Sequence, residues 1–227
     1  KGNLYSMSSP LELELAQRLQ DIIPCAEKSR LLKSGSEAAT AAVRIARAYT
    51  GRDIILVCGY HGWHDWTVVR TARNVGIPDF NQKLVYEFGY NDIESLRSLL
   101  TEHGKNVAAI VMEPVGVYAP QPGFLEQVAE LARQSGALLI FDEVITGFRL
   151  ALGGAQAYCR ITPDLAVFGK AMANGYPLSA VVGRRAILDR VEDQIFISST
   201  YGGDLVSIAA ALATLEVLQH EPVIDHI

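Results

Sequence analysis

The sequence has few cysteines, no block of basic residues and no long hydrophobic run. Its three cysteines, Cys25, Cys58 and Cys159, are odd in number and widely spaced. They fit neither a disulfide framework nor a paired-cysteine metal motif, which favours a reducing compartment. Lys and Arg number 20 against 25 Asp and Glu, and because the basic residues do not cluster, the sequence argues against a nucleic-acid partner. The longest apolar runs, such as residues 137–141, have the length of a strand and are far too short to cross a bilayer.

The amino-terminal residues show no signal-peptide pattern, so we expect a cytoplasmic protein without a membrane partner. Apolar residues make up 49% of the 227 positions, which is enough for a core of ordinary size. This length accommodates one large domain or two small ones.

Helical and strand-like patterns alternate along the chain. Helical apolar spacing or alanine-rich composition predicts helices over residues 9–22, 36–49, 93–100, 124–133 and 204–218. Short, continuously apolar runs predict strands over residues 54–58, 107–112, 137–141, 165–168 and 178–182. Because these runs are apolar throughout, the strands are expected to be covered on both faces. We therefore predict an α/β fold, in which a doubly wound, mostly parallel sheet carries helices on both faces.

Polar side chains follow the predicted strands at the points where the strands end. Tyr60 and His61 follow the first strand, Glu113 the second, Asp142 the third and Lys170 the fourth. In parallel α/β sheets, ligands bind outside the carboxyl ends of the strands. These residues are therefore the first candidates for a functional site.

Asp142 and Lys170 have the residue types that a pyridine-ring cofactor with an aldehyde group needs. An ionised Asp142 at the edge of a dry core needs a positive partner, which a pyridinium nitrogen would supply. A structural salt bridge or a helix cap is the alternative interpretation. Lys170 lies between apolar segments, a setting that favours the neutral, nucleophilic amine required for Schiff-base chemistry. A solvated surface lysine is the alternative for this residue.

Two further motifs favour a phosphorylated aromatic ligand. The run Ser34-Gly35-Ser36-Glu37 precedes a predicted helix, fits a capping box and offers free N–H groups to a phosphate, although an ordinary cap has the same pattern. Tyr60 or His61 could stack on a flat ring, and aromatic packing without a ligand is the alternative. His61 and His64 have no accompanying metal motif, so no metal site is predicted.

Taken together, the motifs resemble the class-III pyridoxal-phosphate aminotransferases, and most closely their glutamate-1-semialdehyde aminomutase branch. The resemblance is carried, in the family's order, by residues 34–38 with 43–47, 59–62, 113–115, 142–149, 169–177 and 199–203. It implies that pyridoxal 5′-phosphate is the cofactor. It also implies a homodimer with shared active sites and a small amino or keto compound as the substrate.

The resemblance also implies a role for each matching residue at the ring. Lys170 is expected to be the Schiff-base lysine and to move protons, and Asp142 to pair with the pyridine nitrogen. Val144 is expected to support the face of the ring opposite Tyr60. Glu113 is expected to be a carboxylate near the ring. The residues expected at the phosphate are Gly35 and Ser36, with Thr200 reaching the phosphate of the neighbouring subunit.

The sequence also departs from the family. Tyr118 stands where many ω-aminotransferases have a glutamate, and Ile145 where several have a glutamine, both of which favour the aminomutase branch. The chain is much shorter than family members. Residues 1–227 are therefore predicted to be the cofactor-binding large domain, without the N-terminal segment and the C-terminal small domain.

Several functional alternatives stay open at this stage. The reaction is predicted to be that of an aminomutase, with residues 67–82 as a mobile lid, or that of an intermolecular aminotransferase. A non-catalytic scaffold that keeps the fold is a second possibility. A dinucleotide-binding protein is a third, but no GxGxxG motif follows the first strand.

Overall fold

The computed structural model describes residues 7–227, apart from the side chain of Glu192. Within this range the strands are β1 (Lys28–Leu32), β2 (Ile54–Cys58), β3 (Val85–Glu87), β4 (Val107–Met112), β5 (Leu138–Asp142), β6 (Leu165–Phe168) and β7 (Ser179–Gly183). The α-helices are α1 (Pro10–Ile22), α2 (Gly35–Thr50), α3 (Asp65–Val68), α4 (Ile93–His103), α5 (Phe124–Ser135), α6 (Gly154–Cys159), α7 (Arg185–Leu188), α8 (Arg190–Gln194), α9 (Leu205–His220) and α10 (Val223–His226). Short 3₁₀ helices span Asp79–Lys83, Gly104–Asn106 and Lys170–Ala173.

The described strands form one sheet in the order β1-β7-β6-β5-β4-β2-β3. Strands β2 to β6 pair in parallel, whereas β7 is antiparallel to both β6 and β1. Only β7 therefore runs against the other strands. The predicted doubly wound, mostly parallel sheet is confirmed.

Each predicted helix and strand is present, with its ends shifted by only a few residues. The predictions missed two strands, β1 and β3. Strand β3 is only three residues long, and β1 contains charged residues and pairs with β7, which is distant in the sequence. The predicted loop 67–82 begins within α3 and ends within a 3₁₀ helix. The first six residues of the predicted domain lie outside the described part of the chain.

Two apolar layers cover the two faces of the sheet. One layer contains α2, whose row of small side chains (Ala38, Ala42 and Ala46) packs against residues such as Val111 and Ile140. The other layer contains α1, α4, α5 and α9, which pack on residues of the same strands that face the opposite way. Successive side chains of a strand point to opposite faces of the sheet, so each central strand contributes side chains to both layers. Burying one Leu, Ile or Phe side chain stabilises a fold by about 1.5–3 kcal/mol.

This topology places the candidate site at one edge of the sheet. The carboxyl ends of β1, β2, β4, β5 and β6 all lie at this edge, together with the first residue of the reversed strand β7. No helix of the described chain is long and apolar enough to span a membrane.

Candidate active site

A cleft of about 690 Å³ lies at this edge of the sheet. Side chains that are distant in the sequence meet in it, because each follows a different strand. The predicted site residues that line it are Gly35, Ser36, Tyr60, His61, Glu113, Asp142, Val144 and Lys170. Thr200 is exposed and does not line this cleft. Within residues 7–227, no group of three or more His, Cys, Asp or Glu side chains is arranged to hold a metal ion.

The turn before α2 has the geometry of an anion-binding site. Ser34 Oγ accepts a hydrogen bond from Glu37 N, and Glu37 Oε2 accepts from Ser34 N, so the predicted capping box is formed. The N–H groups of Gly35 and Ser36 form no hydrogen bond with any described residue. They lie in the first turn of a 16-residue helix, where free N–H groups and the helix dipole favour an anion.

Close packing holds this turn in place. A Cβ atom on Gly35 would lie 3.0 Å from Val144 Cγ2, and one on Gly62 would lie 2.3 Å from Ser36 Oγ. The hydroxyl group of Ser179, at the start of β7, donates to the carbonyl oxygen of Ser34 at 2.8 Å. The turn is therefore in direct contact with Val144, the residue predicted to support the cofactor ring.

His61 and Asp142 form a buried pair in the wall of the cleft. His61 Nδ1 lies 2.8 Å from Asp142 Oδ2, and His61 Nε2 lies 3.1 Å from the carbonyl oxygen of Cys58. The side chains are only 1% and 6% exposed. A carbonyl oxygen only accepts, so His61 Nε2 donates to Cys58, and Nδ1 lies within hydrogen-bond distance of the carboxyl group. His61 therefore fixes the orientation of Asp142, and its ring stacks in parallel with Trp66 at 6.4 Å.

Two further contacts define the surroundings of Asp142. Its Oδ1 atom accepts a hydrogen bond from Val144 N at 3.1 Å, so the carboxylate also orders the chain that follows β5. Glu113 lies half-buried in the same cleft. Burial raises the pKa of Glu113, and Asp142 acts in the same direction, whereas His61 and Lys170 lower it. Tyr60, by contrast, is 65% exposed and lines the cleft with its ring available.

Lys170 lies at the first position of the 3₁₀ helix that follows β6. Its backbone has a φ angle of 40°, in the left-handed region that residues other than glycine seldom occupy. Such a conformation costs about 1–3 kcal/mol and tends to occur at functional sites. The chain therefore turns sharply here and presents the amine in the cleft instead of continuing the strand.

Glu143, whose side chain is completely buried, has a structural role that was not predicted from the sequence. The carboxylate accepts hydrogen bonds from Thr146 Oγ1, from the backbone nitrogens of Ala155 and Gln156, and from Gln156 Nε2. Burial raises its pKa, and these hydrogen bonds oppose the rise. Glu143 thereby anchors the chain between Asp142 and Val144. Only its position between two predicted site residues could have indicated this.

The fold and the cleft define a class of protein: α/β proteins with a lysine and an aspartate at the carboxyl edge of a mostly parallel sheet. Several solved structures superpose closely on this chain. They include an omega-transaminase from Sphaerobacter thermophilus (TM-score 0.89, 31% identity, 96% of this chain and 55% of that one). The FumI protein of Sphingopyxis sp. MTA144, solved in its PLP internal aldimine form, gives a TM-score of 0.91 with 31% identity, over 99% of this chain and 55% of that one.

The family model for class-III aminotransferases matches residues 4–227, so the chain belongs to this family. It is 44% identical to a 3-aminobutyryl-CoA aminotransferase of Cloacimonas acidaminovorans, over 99% of this chain and 55% of the relative. It is 43% identical to a glutamate-1-semialdehyde 2,1-aminomutase of Methanothrix thermoacetophila, over 96% of this chain and 54% of the relative. The chain thus spans about half the length of these relatives.

The family depends on pyridoxal phosphate, and the residues of the cleft fit this cofactor. Lys170 offers an amine for the aldehyde, and Asp142 offers a carboxylate, held by His61, for the ring nitrogen. The free N–H groups of Gly35 and Ser36 offer donors for the phosphate. These three requirements are met within one cleft, and no observation favours a scaffold or a dinucleotide-binding protein.

Proposed function

We propose that the full-length protein transfers amino groups with pyridoxal phosphate, and that this chain is its cofactor-binding large domain. The observation that carries the proposal is the convergence of three different functions in one cleft. The amine of Lys170, the buried pair of His61 and Asp142, and the turn at Gly35 come from distant parts of the sequence. A scaffold has no need for such an arrangement.

Pyridoxal phosphate, when bound, supplies a carbonyl group for amines and a ring that withdraws electrons from the substrate's α-carbon. Lys170 Nζ would hold the cofactor, and the same amine would serve as the base that takes a proton from the substrate and returns it. Asp142 would keep the ring nitrogen protonated. His61 fills the other oxygen of Asp142 with a hydrogen bond and so keeps that carboxylate from turning away.

The other residues of the cleft bind and orient. Val144, which contacts the turn at Gly35, would support one face of the ring, and Tyr60, which also lines the cleft, would cover the opposite face. Gly35 and Ser36 would donate to the phosphate. Glu113 would lie near the ring, in the cleft that it shares with Asp142, and burial together with the charge of Asp142 raises its pKa.

We also propose a homodimer with shared active sites and a cytoplasmic location. The exposed position of Thr200, outside its own cleft, supports a role toward the phosphate of a second subunit. The free state of Cys25, Cys58 and Cys159 supports a reducing compartment. The remaining part of the full-length protein would supply the N-terminal segment and the C-terminal small domain.

The substrate is a small amino or keto compound, and two reactions are candidates. The aminomutase reaction moves the amino group within one molecule, and the similarity to glutamate-1-semialdehyde aminomutases favours it. An intermolecular aminotransferase reaction is favoured by the similarity to the 3-aminobutyryl-CoA enzyme. Residues 67–82 are the proposed lid, which the aminomutase reaction needs to retain its intermediate.

The experiment that tests cofactor binding uses the full-length protein with added pyridoxal phosphate. We expect a visible absorbance band, and after borohydride reduction a modified peptide that contains Lys170. The Lys170→Ala variant should lose both signals, whereas Lys105→Ala, a matched change in a 3₁₀ helix away from the cleft, should keep them. A wild-type protein without the band would contradict the proposal.

A second experiment separates the two reactions. Amino donors, including a diamino compound and an amino aldehyde, are added one at a time to the full-length protein with its cofactor. An aminomutase should isomerise the amino aldehyde without an added keto acid. An aminotransferase should need a separate acceptor for turnover.

A further inference from the structure

Lys33 directly precedes the anion-binding turn, yet its ammonium group is directed to other parts of the chain. Lys33 Nζ donates to the carbonyl oxygen of Pro177 at 2.8 Å and to Ser207 Oγ at 3.1 Å, and it pairs with Asp204 Oδ2 at 3.3 Å. The side chains of Lys33 and Asp204 are only 15% and 18% exposed. An ammonium group has three hydrogens, and three acceptors surround this one.

These contacts join three segments around the cleft. Lys33 itself is linked by one peptide bond to Ser34, which caps α2. Pro177 ends the segment that begins with Lys170 and also lines the cleft. Asp204 is the N-cap of α9 and lies four residues after Thr200, which is proposed to reach the second subunit.

The acidic partner of Lys33 is fixed by its own helix. Asp204 Oδ2 accepts hydrogen bonds from Ser207 Oγ at 2.6 Å and from Ser207 N at 3.1 Å. These bonds are the main cause that lowers the pKa of Asp204 to about 2, and Lys33 adds to the effect. Asp204 is therefore an anion at neutral pH, and the pair with Lys33 is charged.

We propose that Lys33 is a positioning residue for the phosphate of the cofactor, because its ammonium group holds the turn at Gly35 against the start of α9 and the Pro177 segment. The inference rests on the proposed function. Without the ammonium group, the turn loses its link to α9, and only the packing against Val144 and the hydrogen bond from Ser179 hold the N–H groups of Gly35 and Ser36 toward the phosphate. The ring end of the cleft is held separately, by Asp142 and His61.

The test compares pyridoxal phosphate with pyridoxal, which lacks only the phosphate. The dissociation constant of each compound is measured by visible absorbance for the full-length protein and its variants. For Lys33→Met we expect roughly tenfold weaker binding of pyridoxal phosphate, or about 1.4 kcal/mol, with pyridoxal binding unchanged. Lys33→Arg, which keeps the charge, should restore most of the loss.

Two more variants complete the design. Lys28→Met is the matched control. Lys28 begins β1, the strand that Lys33 directly follows, and its ammonium group pairs with Asp189 and not with the start of α9, so both constants should stay unchanged. Asp204→Asn keeps an N-cap for α9 but removes the charge. It should weaken the binding of pyridoxal phosphate and leave the binding of pyridoxal unchanged. It also provides the test if Lys33→Met does not fold.

The outcomes are distinct. If Lys33→Met binds pyridoxal phosphate as tightly as the wild type, or loses the same affinity for both compounds, Lys33 has no positioning role. The proposed function would not be affected by either result. Tighter pyridoxal phosphate binding by Asp204→Asn would also overturn the positioning role of Lys33, because the freed ammonium group would then be a direct phosphate ligand. Failure of the wild-type protein to bind pyridoxal phosphate would overturn the proposed function together with this inference.

Discussion

Replacement of His61 by Phe is expected to destabilise the protein far more than loss of a surface histidine would. Phe keeps a ring of similar size next to Trp66, so the packing changes little. It removes both hydrogen-bonding nitrogens of the imidazole and leaves Asp142 buried, with the backbone nitrogen of Val144 as its remaining hydrogen-bond partner among the described residues. Breaking a buried ion pair by removing one partner costs about 3–5 kcal/mol, and we expect a loss in this range.

The matched control is His64→Phe. His64 lies only three residues further along the chain, is half-buried and has a hydrogen bond of 2.7 Å to Thr40 Oγ1. Loss of one such bond costs about 1 kcal/mol. Both variants are compared with the wild type by denaturant unfolding of the full-length protein without cofactor, followed by circular dichroism.

A double variant tests the physical reason directly. If the cost of His61→Phe comes from the unpaired charge, adding Asp142→Asn should recover part of it, so the two losses should not add. Strict additivity, or an equal loss for His61→Phe and His64→Phe, would refute the buried pair as the source of the stability. The His61→Phe variant should also bind pyridoxal phosphate more weakly than the wild type, because Asp142 is no longer held in one orientation.

Three further predictions follow from buried groups. Gly154→Ala should destabilise the protein by more than Gly76→Ala: both have positive φ angles, but only at Gly154 would the new Cβ meet Glu143 Oε2, at 2.6 Å. Equal losses in thermal unfolding would contradict this. Burial raises the pKa of Glu143. Its contribution to the free energy of unfolding is therefore fully present at a pH below the pKa that the group has in the unfolded chain, and it is lost as the pH rises through the pKa in the folded protein. When the free energy of unfolding is measured at several pH values, Glu143→Gln should remove this decrease in stability at high pH. The same pH profile for the variant and the wild type would contradict the prediction. Burial raises the pKa of Cys58 to about 12, so iodoacetamide at neutral pH should modify the partly exposed Cys159 first, as followed by mass spectrometry; faster modification of Cys58 would be the contrary result.

The strands that local patterns predicted are those whose neighbours cover them completely. Strands β2, β4, β5 and β6 are buried along their whole length, so continuous apolar runs marked them. Strand β1, by contrast, begins with Lys28 and is mostly half-exposed. Its place in the sheet depends on pairing with β7, which no local pattern indicates.

The residues of the candidate site also fall into two groups, those that local patterns predicted and those that only the structure identified. Lys170, Asp142 and the turn at Gly35 were identified from the sequence because each follows or precedes a recognisable element. The partners of these residues were not. The imidazole of His61 was expected beside the cofactor ring, and only the structure places it in contact with Asp142, 81 positions away.

The sequence by itself determined the alternating elements, the apolar layers and the residue types at the strand ends, because these depend on the spacing of neighbours along the chain. The tertiary structure alone decided which side chains share hydrogen bonds. The pairs of Lys33 with Asp204 and of His61 with Asp142 exist because the strand order brings distant segments within about 3 Å, the range in which a hydrogen bond forms. That distance depends on the packing of the whole sheet.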